Sequence, residues 1–242
     1  MIVKTDCFIL NSRKYGDSSK IISVFSEDYG KISLMAKGAR TMKNKFGASL
    51  EPMSFSSITF YHKPGPELYL LSNSELCKNY SKLTSNQDYL FIGLMILETV
   101  SNTQESNHQN IELFNLLKVC FDNLLTFSKE PFCVFTYFMN KAAEILGFEL
   151  DLSRINNPDD DTVCISLSDG SIKNISYGNT KSVYFLNLKE FDYFYTIVND
   201  YDNLTIDFDI DKKSKLHIYD FFVNYFSFHL ERKFYLKSAV MM

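Results

Sequence analysis

SKIISVFSEDYGKISLMAKGARTMKNKFGASL (residues 19–50) reads as two short strands joined by a tight turn and followed by a basic loop. Ile32, Leu34 and Ala36 alternate with Lys31, Ser33 and Met35, so one face can pack while the other shows cations to water. Outward from this pair, Thr5 to Asn11, Met53 to Tyr61 and Glu67 to Glu75 also read as strands. Turn signals at Tyr15-Gly16-Asp17, Asp28-Tyr29-Gly30 and Lys63-Pro64-Gly65-Pro66 separate the strands. Five strands at this spacing predict a small closed barrel.

After Leu83 the hydrophobic period changes from two to about 3.6. Ser85-Asn86-Gln87-Asp88 resembles a capping box ahead of YLFIGLMILETV, and Ile111 to Phe127 repeats the helical pattern. Pro131 opens PFCVFTYFMNKAAEIL at a first-turn position, and Gly147 can end it as a left-handed cap. Asn156-Asn157-Pro158 is loop, VCISLSDGSIKNI predicts a hairpin turning at Asp169-Gly170, and helices return at Leu188 to Asn199 and Ser214 to Leu230. The fold class is therefore α+β. A five-stranded barrel in residues 1–80 is followed by a mainly helical domain, residues 81–242, with a small β insertion near 150–180.

The charge is unevenly spread. Residues 1–82 hold 12 Lys and Arg against 7 Asp and Glu, whereas residues 83–242 hold 13 against 22. A basic third joined to an acidic remainder points to a polyanion-facing module attached to something else. Hydrophobic residues at 45% and aromatics at 15% suffice for packed cores. Cys7, Cys77, Cys120, Cys133 and Cys164 form no CxxC pair and read as free thiols of a reducing cytoplasm. Lys4 and Asp6 interrupt what a secretory signal would need as an apolar segment, and the run Tyr89 to Leu97 is about half the ~20 residues that cross a bilayer. A cytoplasmic protein without a membrane span is the expectation.

Between Tyr29 and Leu50 stand Lys31, Lys37, Arg40, Lys43 and Lys45 with no acid among them, and Arg13, Lys14 and Lys20 flank the first turn. Spacing alone leaves two readings: phosphate neutralisation by counterion release, or a solvated loop at a strand edge. Tyr15, Phe46 and Tyr61 are candidate stacking aromatics of second rank, with core or turn packing the commoner use. Asp159-Asp160-Asp161 and Asp207, Asp209, Asp211 have no His or Glu partner at a useful spacing, so turn or helix-cap acids are the better reading than acid–base or two-metal chemistry. The last helix, LHIYDFFVNYFSFHL, is apolar round most of its circumference. Core is the default; the alternative, with Lys212, Lys213 and Lys215 at the helix start and Arg232, Lys233 and Lys237 after its end, is a cation-rimmed groove in which Lys212, Lys215, Phe222 and Phe226 receive an acidic peptide with a terminal aromatic.

Read together, MIVKTDCFILNSRKYGDSSKIISVFSEDYGKISLMAKGARTMKNKFGASLEP resembles the N-terminal domain of the bacterial RecO recombination mediators. YGKISLMAKGAR and KNKFGASLEP carry most of the likeness, and LGFEL and the C-terminal HLERKFYLKS extend it. The resemblance implies an OB-fold barrel before a helical domain, single- and double-stranded DNA binding, strand annealing, and partnership with RecR and the acidic tail of the single-stranded-DNA-binding protein. It implies no catalytic site and no cofactor. Lys31, Lys37 and Arg40 fall in the matched motif. Many members carry a four-cysteine zinc site in the segment that here runs from Leu150 to Gly178; only Cys164 lies there, so the metal is expected to be lost. The rival readings are a protein-interaction adaptor with weak nucleic-acid affinity and a metal-dependent nuclease.

Overall fold

The computed structural model describes residues 1–63, 65, 68–126, 130–152, 162–173, 182–201 and 210–241. It divides into two compact units, Met1–Thr126 and Phe127–Val240.

In the first unit β1 (Ile2–Tyr15), β2 (Ser19–Ser26), β3 (Gly30–Ala36), β4 (Ser54–Tyr61) and β5 (Leu68–Asn79) form a closed barrel in the order β1-β2-β3-β5-β4. All neighbours are antiparallel except β3 and β5, whose short parallel pairing from Ser33↔Leu68 to Met35↔Leu70 closes the ring. β1 and β5 are longer than the sequence periodicity indicates. β1 pairs with β4 through Ile2 to Phe8 and with β2 through Cys7 to Tyr15, and a bulge between Ile9 and Asn11 interrupts its alternation. Ile9, Ile22, Val24, Leu34, Ile58 and Phe60 fill the interior, with Phe46 and Leu50 added from the one-turn 3-10 helix region at Gly47–Leu50.

The outer face of the barrel is also apolar at one place. Phe8 lies 5.9 Å from Phe114 and 5.4 Å from Phe121 between ring centroids, and Phe25 lies 6.0 Å from Phe114. Those partners sit on α2 (Ile111–Thr126), which follows α1 (Gln87–Thr103), so both helices belong to the barrel's own compact unit. Asn86 alone caps α1, accepting from the Asp88 N–H at 2.9 Å; the expected four-residue capping box does not form. Gly30 begins β3 at φ 62°, and a Cβ there would stand 1.8 Å from the His108 carbonyl oxygen, so the turn presses directly on the segment joining α1 to α2.

In the second unit α3 (Pro131–Ile145) ends as expected. Gly147 takes φ 86°, and the Phe148 and Gly147 N–H groups return to Ala143 and Glu144 carbonyls at 3.0 Å each, a Schellman motif. β6 (Thr162–Ser166) and β7 (Ile172–Lys173) form the hairpin at Asp169-Gly170. β8 (Val183–Asn187) adds a third strand on the other side of β6 that sequence reading missed. α4 (Leu188–Asp200) begins with a capping box between Asn187 and Glu190, and α5 (Lys212–His229) is capped by Asp211, whose carboxylate accepts from the Ser214 N–H at 2.8 Å. Phe135, Phe194, Phe221 and Phe222 meet at the centre of this unit. The loop at Asn156-Asn157-Pro158 and the acids Asp159, Asp160, Asp161, Asp207 and Asp209 lie outside the described residues.

Because Gly30 combines a left-handed φ with a close backbone approach, Gly30→Ala is expected to destabilise the first unit by more than about 2 kcal/mol. A thermal midpoint of the purified variant within about 2 °C of the parent would contradict this.

Candidate nucleic-acid interface

Barrel closure brings the first turn and the loop after β3 together. Lys14 stands opposite Lys20 in the β1–β2 ladder, and Lys20 opposite Ala36 in the β2–β3 ladder, so Lys37 is next in line at the same end. The loop from Lys37 to Lys45 is fastened at both ends by buried Ala39 and Phe46. Between them the Arg40 N–H donates to the Ser18 carbonyl at 2.9 Å, and Arg40 Nη1 donates to the Gly16 carbonyl at 2.9 Å. Thr41 Oγ1 donates to the Gly38 carbonyl at 2.9 Å, which tightens the turn. Arg40 thus pins the loop to the first turn through one nitrogen. The rest of its guanidinium fork keeps donors for an anion.

The eight cations fall into three groups. Arg13, Lys14, Lys37, Arg40 and Lys43 are exposed, and among the described residues none of them has a carboxylate within ion-pair distance. Lys20 is half-buried and engaged by Glu51 Oε1 at 2.8 Å, and Lys45 Nζ donates to the Ser72 carbonyl at 2.6 Å. Lys31 stands apart. Its side chain is half-buried: Nζ donates to the Ser101 carbonyl at 2.8 Å, in the last turn of α1, where a cation meets the negative end of the helix.

Of the second-rank aromatics, only Tyr15 stays with the cluster, half-exposed at the end of β1. Phe46 is a core residue at 4% exposure, and Tyr61 pairs with Ile2 at the opposite end of β1. Sequence reading missed Met42, fully exposed at the loop's tip between Arg40 and Lys43. An unpatterned methionine in a polar loop gives no periodic signal.

Residues 1–80 match the family model for the N-terminal domain of recombination protein O, and residues 85–238 match the one for its C-terminal domain. The chain belongs to the RecO family. It is similar to the DNA repair protein RecO of Salinibacter ruber, 32% identical over 173 residues that make up 71% of this chain and 66% of that protein. A RecO of Chlorobium limicola is 30% identical over 64% of this chain and 59% of its own length, and one from Alkaliphilus metalliredigens is 33% identical over 48% and 47%. The matches therefore span less than two thirds of those relatives. The barrel of the chain is the OB-fold domain of RecO proteins. No helix among the described residues is long and apolar enough to cross a membrane.

The second unit of this RecO chain holds the other sequence candidates. Phe222 and Phe226 are fully buried, so they are core and not the floor of an open groove. Lys215 Nζ is engaged by Glu130 Oε2 at 2.8 Å, while Lys212 is exposed. The open depression on this helix lies one turn away, lined by Lys212, Lys213, Leu216, His217, Glu190 and Asp220. His217 Nδ1 sits 2.8 Å from Glu190 Oε2, and the same Glu190 oxygen accepts from the Asn187 N–H at 3.0 Å. Asp211 is held below the usual carboxylate range by the Ser214 N–H, consistent with a helix cap and not an acid–base group.

The zinc set of other family members does not fit this chain. Cys164 is buried on β6, burial pushes its thiol up and disfavours the thiolate that zinc requires, and among the described residues no three His, Cys, Asp or Glu side chains converge. Elemental analysis of the purified protein is expected to find no stoichiometric zinc. One zinc per chain retained through dialysis against a weak chelator would overturn that reading.

Proposed function

We propose that this chain is a non-enzymatic DNA-binding mediator that binds single- and double-stranded DNA, promotes annealing of complementary strands and acts in the cytoplasm with RecR and the single-stranded-DNA-binding protein. Residues 1–80 are proposed as the nucleic-acid-binding domain and 81–242 as the helical domain. The observation that carries the reading is the gathering of Arg13, Lys14, Lys37, Arg40 and Lys43 at one end of the barrel, exposed and without acid partners among the described residues. An OB barrel with a cationic groove is a known solution for tracking a nucleic-acid backbone. Lys20 and Lys45 contribute more weakly because each already has an internal partner. Lys31 positions α1 and is not assigned a phosphate.

Phosphate contacts release counterions, so Arg40→Ala and Lys37→Ala should each lower the slope of log K against log salt by about 0.7 on single strands and about 0.9 on duplex. The loss should be similar for all base sequences, since backbone contacts position a protein without reading bases. Lys31→Ala serves as the control: stability should fall by roughly 1 kcal/mol while the salt slope stays at the parent's value. If both loop variants fold and bind with the parent's affinity and slope, the cluster is a solvated face and the adaptor reading replaces this one.

The acidic tail of the single-stranded-DNA-binding protein is proposed to dock on the depression beside α5. Support comes from two exposed cations, Lys212 and Lys213, next to the partly exposed Leu216. Lys215 tethers Glu130 and so steadies the helix instead of binding the peptide. Lys213→Glu should weaken calorimetric binding of a synthetic acidic peptide ending in an aromatic residue at least fivefold and leave DNA affinity nearly intact. Unchanged peptide affinity would remove this placement.

A further inference from the structure

After α5 the chain turns back along the helix it has just left. Glu231 takes φ 51°, a left-handed conformation uncommon for a non-glycine residue, and redirects the backbone. Phe234 then packs on Phe226 at 5.0 Å between ring centroids, and its N–H donates to Ser227 Oγ at 3.0 Å. The Leu236 N–H donates to Tyr219 Oη at 3.4 Å. From Lys233 to Leu236 exposure alternates strictly, with Phe234 and Leu236 2% exposed and Lys233 and Tyr235 facing solvent, and exposed Lys237 opens the 3-10 helix Lys237–Met241 that follows.

A period of two is that of extended backbone, in which alternate side chains stand about 6.6 Å apart on one face. The buried pair thus holds Lys233 and Tyr235 on one exposed side, and Lys237 follows at the start of the 3-10 helix. Lys233 Nζ lies 5.9 Å from the centroid of Tyr235, which is half-exposed, and Phe228 on the last turn of α5 is 44% exposed nearby in sequence. Arg232 adds charge beside Glu231, the acid adjoining this segment. The local charge is against the trend of its surroundings. Residues 83–209 carry 7 Lys and Arg against 19 Asp and Glu, while residues 210–242 carry 6 against 3.

We propose that the strap from Lys233 to Lys237 is a second contact surface for single-stranded nucleic acid, with Lys233 and Lys237 on phosphates and Tyr235 stacking on a base. It rests on the DNA-binding reading above and adds a surface in the second unit to the one on the barrel. Interleaved cations and an exposed ring at this spacing are what single strands demand, since every base has a π-face and every linkage a charge. A duplex, with its bases already stacked, gains from the lysines but not from the ring.

The test is fluorescence anisotropy of the full chain with labelled oligothymidylate and with a duplex, across a salt series. Variants are Lys233→Ala with Lys237→Ala, Tyr235→Ala, Tyr235→Phe, and Lys37→Ala with Arg40→Ala as the reference. The strap double variant should lower the single-strand salt slope by about 1.4. Tyr235→Ala should weaken single-strand binding about fivefold or more with duplex binding unchanged, and Tyr235→Phe should restore it. If the reference variant loses slope but the strap variants match the parent, the strap inference is overturned and the barrel reading stands. If neither set changes the slope, both fall. Should Tyr235→Ala fail to fold, the lysine pair, whose side chains are exposed, decides the matter by itself.

Discussion

Everything at the candidate interface depends on how β1 closes the barrel. Its first residues ladder against β4 and its later ones against β2, and the bulge between Ile9 and Asn11 lets the strand bend as it passes from one neighbour to the other. Beyond Phe8 the strand is paired only with β2, so the Lys14 to Lys20 hairpin end projects past the β4 ladder. The loop that follows β3 meets that projecting end, and the Arg40 contacts to Ser18 and Gly16 fix it there. Cations separated by more than 20 positions in sequence become neighbours for a reason of backbone geometry.

That arrangement carries a cost. Like charges directly opposite one another in a ladder are destabilising, by a few tenths of a kcal/mol to about 1 kcal/mol, and Lys14 faces Lys20 in just that way. Glu51 offsets one of the two charges by pairing with Lys20. Lys14, Lys37 and Lys43 are left exposed, where surface charge alone contributes little to stability. A charged rim that the fold itself does not require is better explained by an external anion than by packing.

Much of this was legible in the sequence, and the failures share a cause. Alternation in Lys31 to Ala36, the glycine turns and the change of period after Leu83 located the strands and helices because each signal is local. The two faces of β3 were also read correctly, yet Lys31 was placed in water because nothing local reveals that α1 ends against it, 70 residues later. Phe46 looked like a possible stacking ring since the residues around it are polar; only the closed barrel shows that it plugs the interior. The apolar character of α5 was plain, but whether Phe222 and Phe226 formed a groove or a core depended on Phe135, Phe148 and Phe194 arriving from other elements. β8 escaped because Val183 to Asn187 runs straight into a helix and has too few residues to show a period before it does.

Net charge was the least informative quantity of all. A chain at −4 with an isoelectric point near 5.6 would ordinarily be set aside as a polyanion binder. Charges on the surface act over roughly a Debye length, about 10 Å at 0.1 M salt, so an anion brought to the barrel rim would respond chiefly to the cations gathered there, Lys14, Lys37 and Arg40. The acidic middle of the chain separates two basic stretches in sequence, residues 1–82 and 210–242, each with cations in excess. Partition of charge by region, not its total, decides what such a surface attracts.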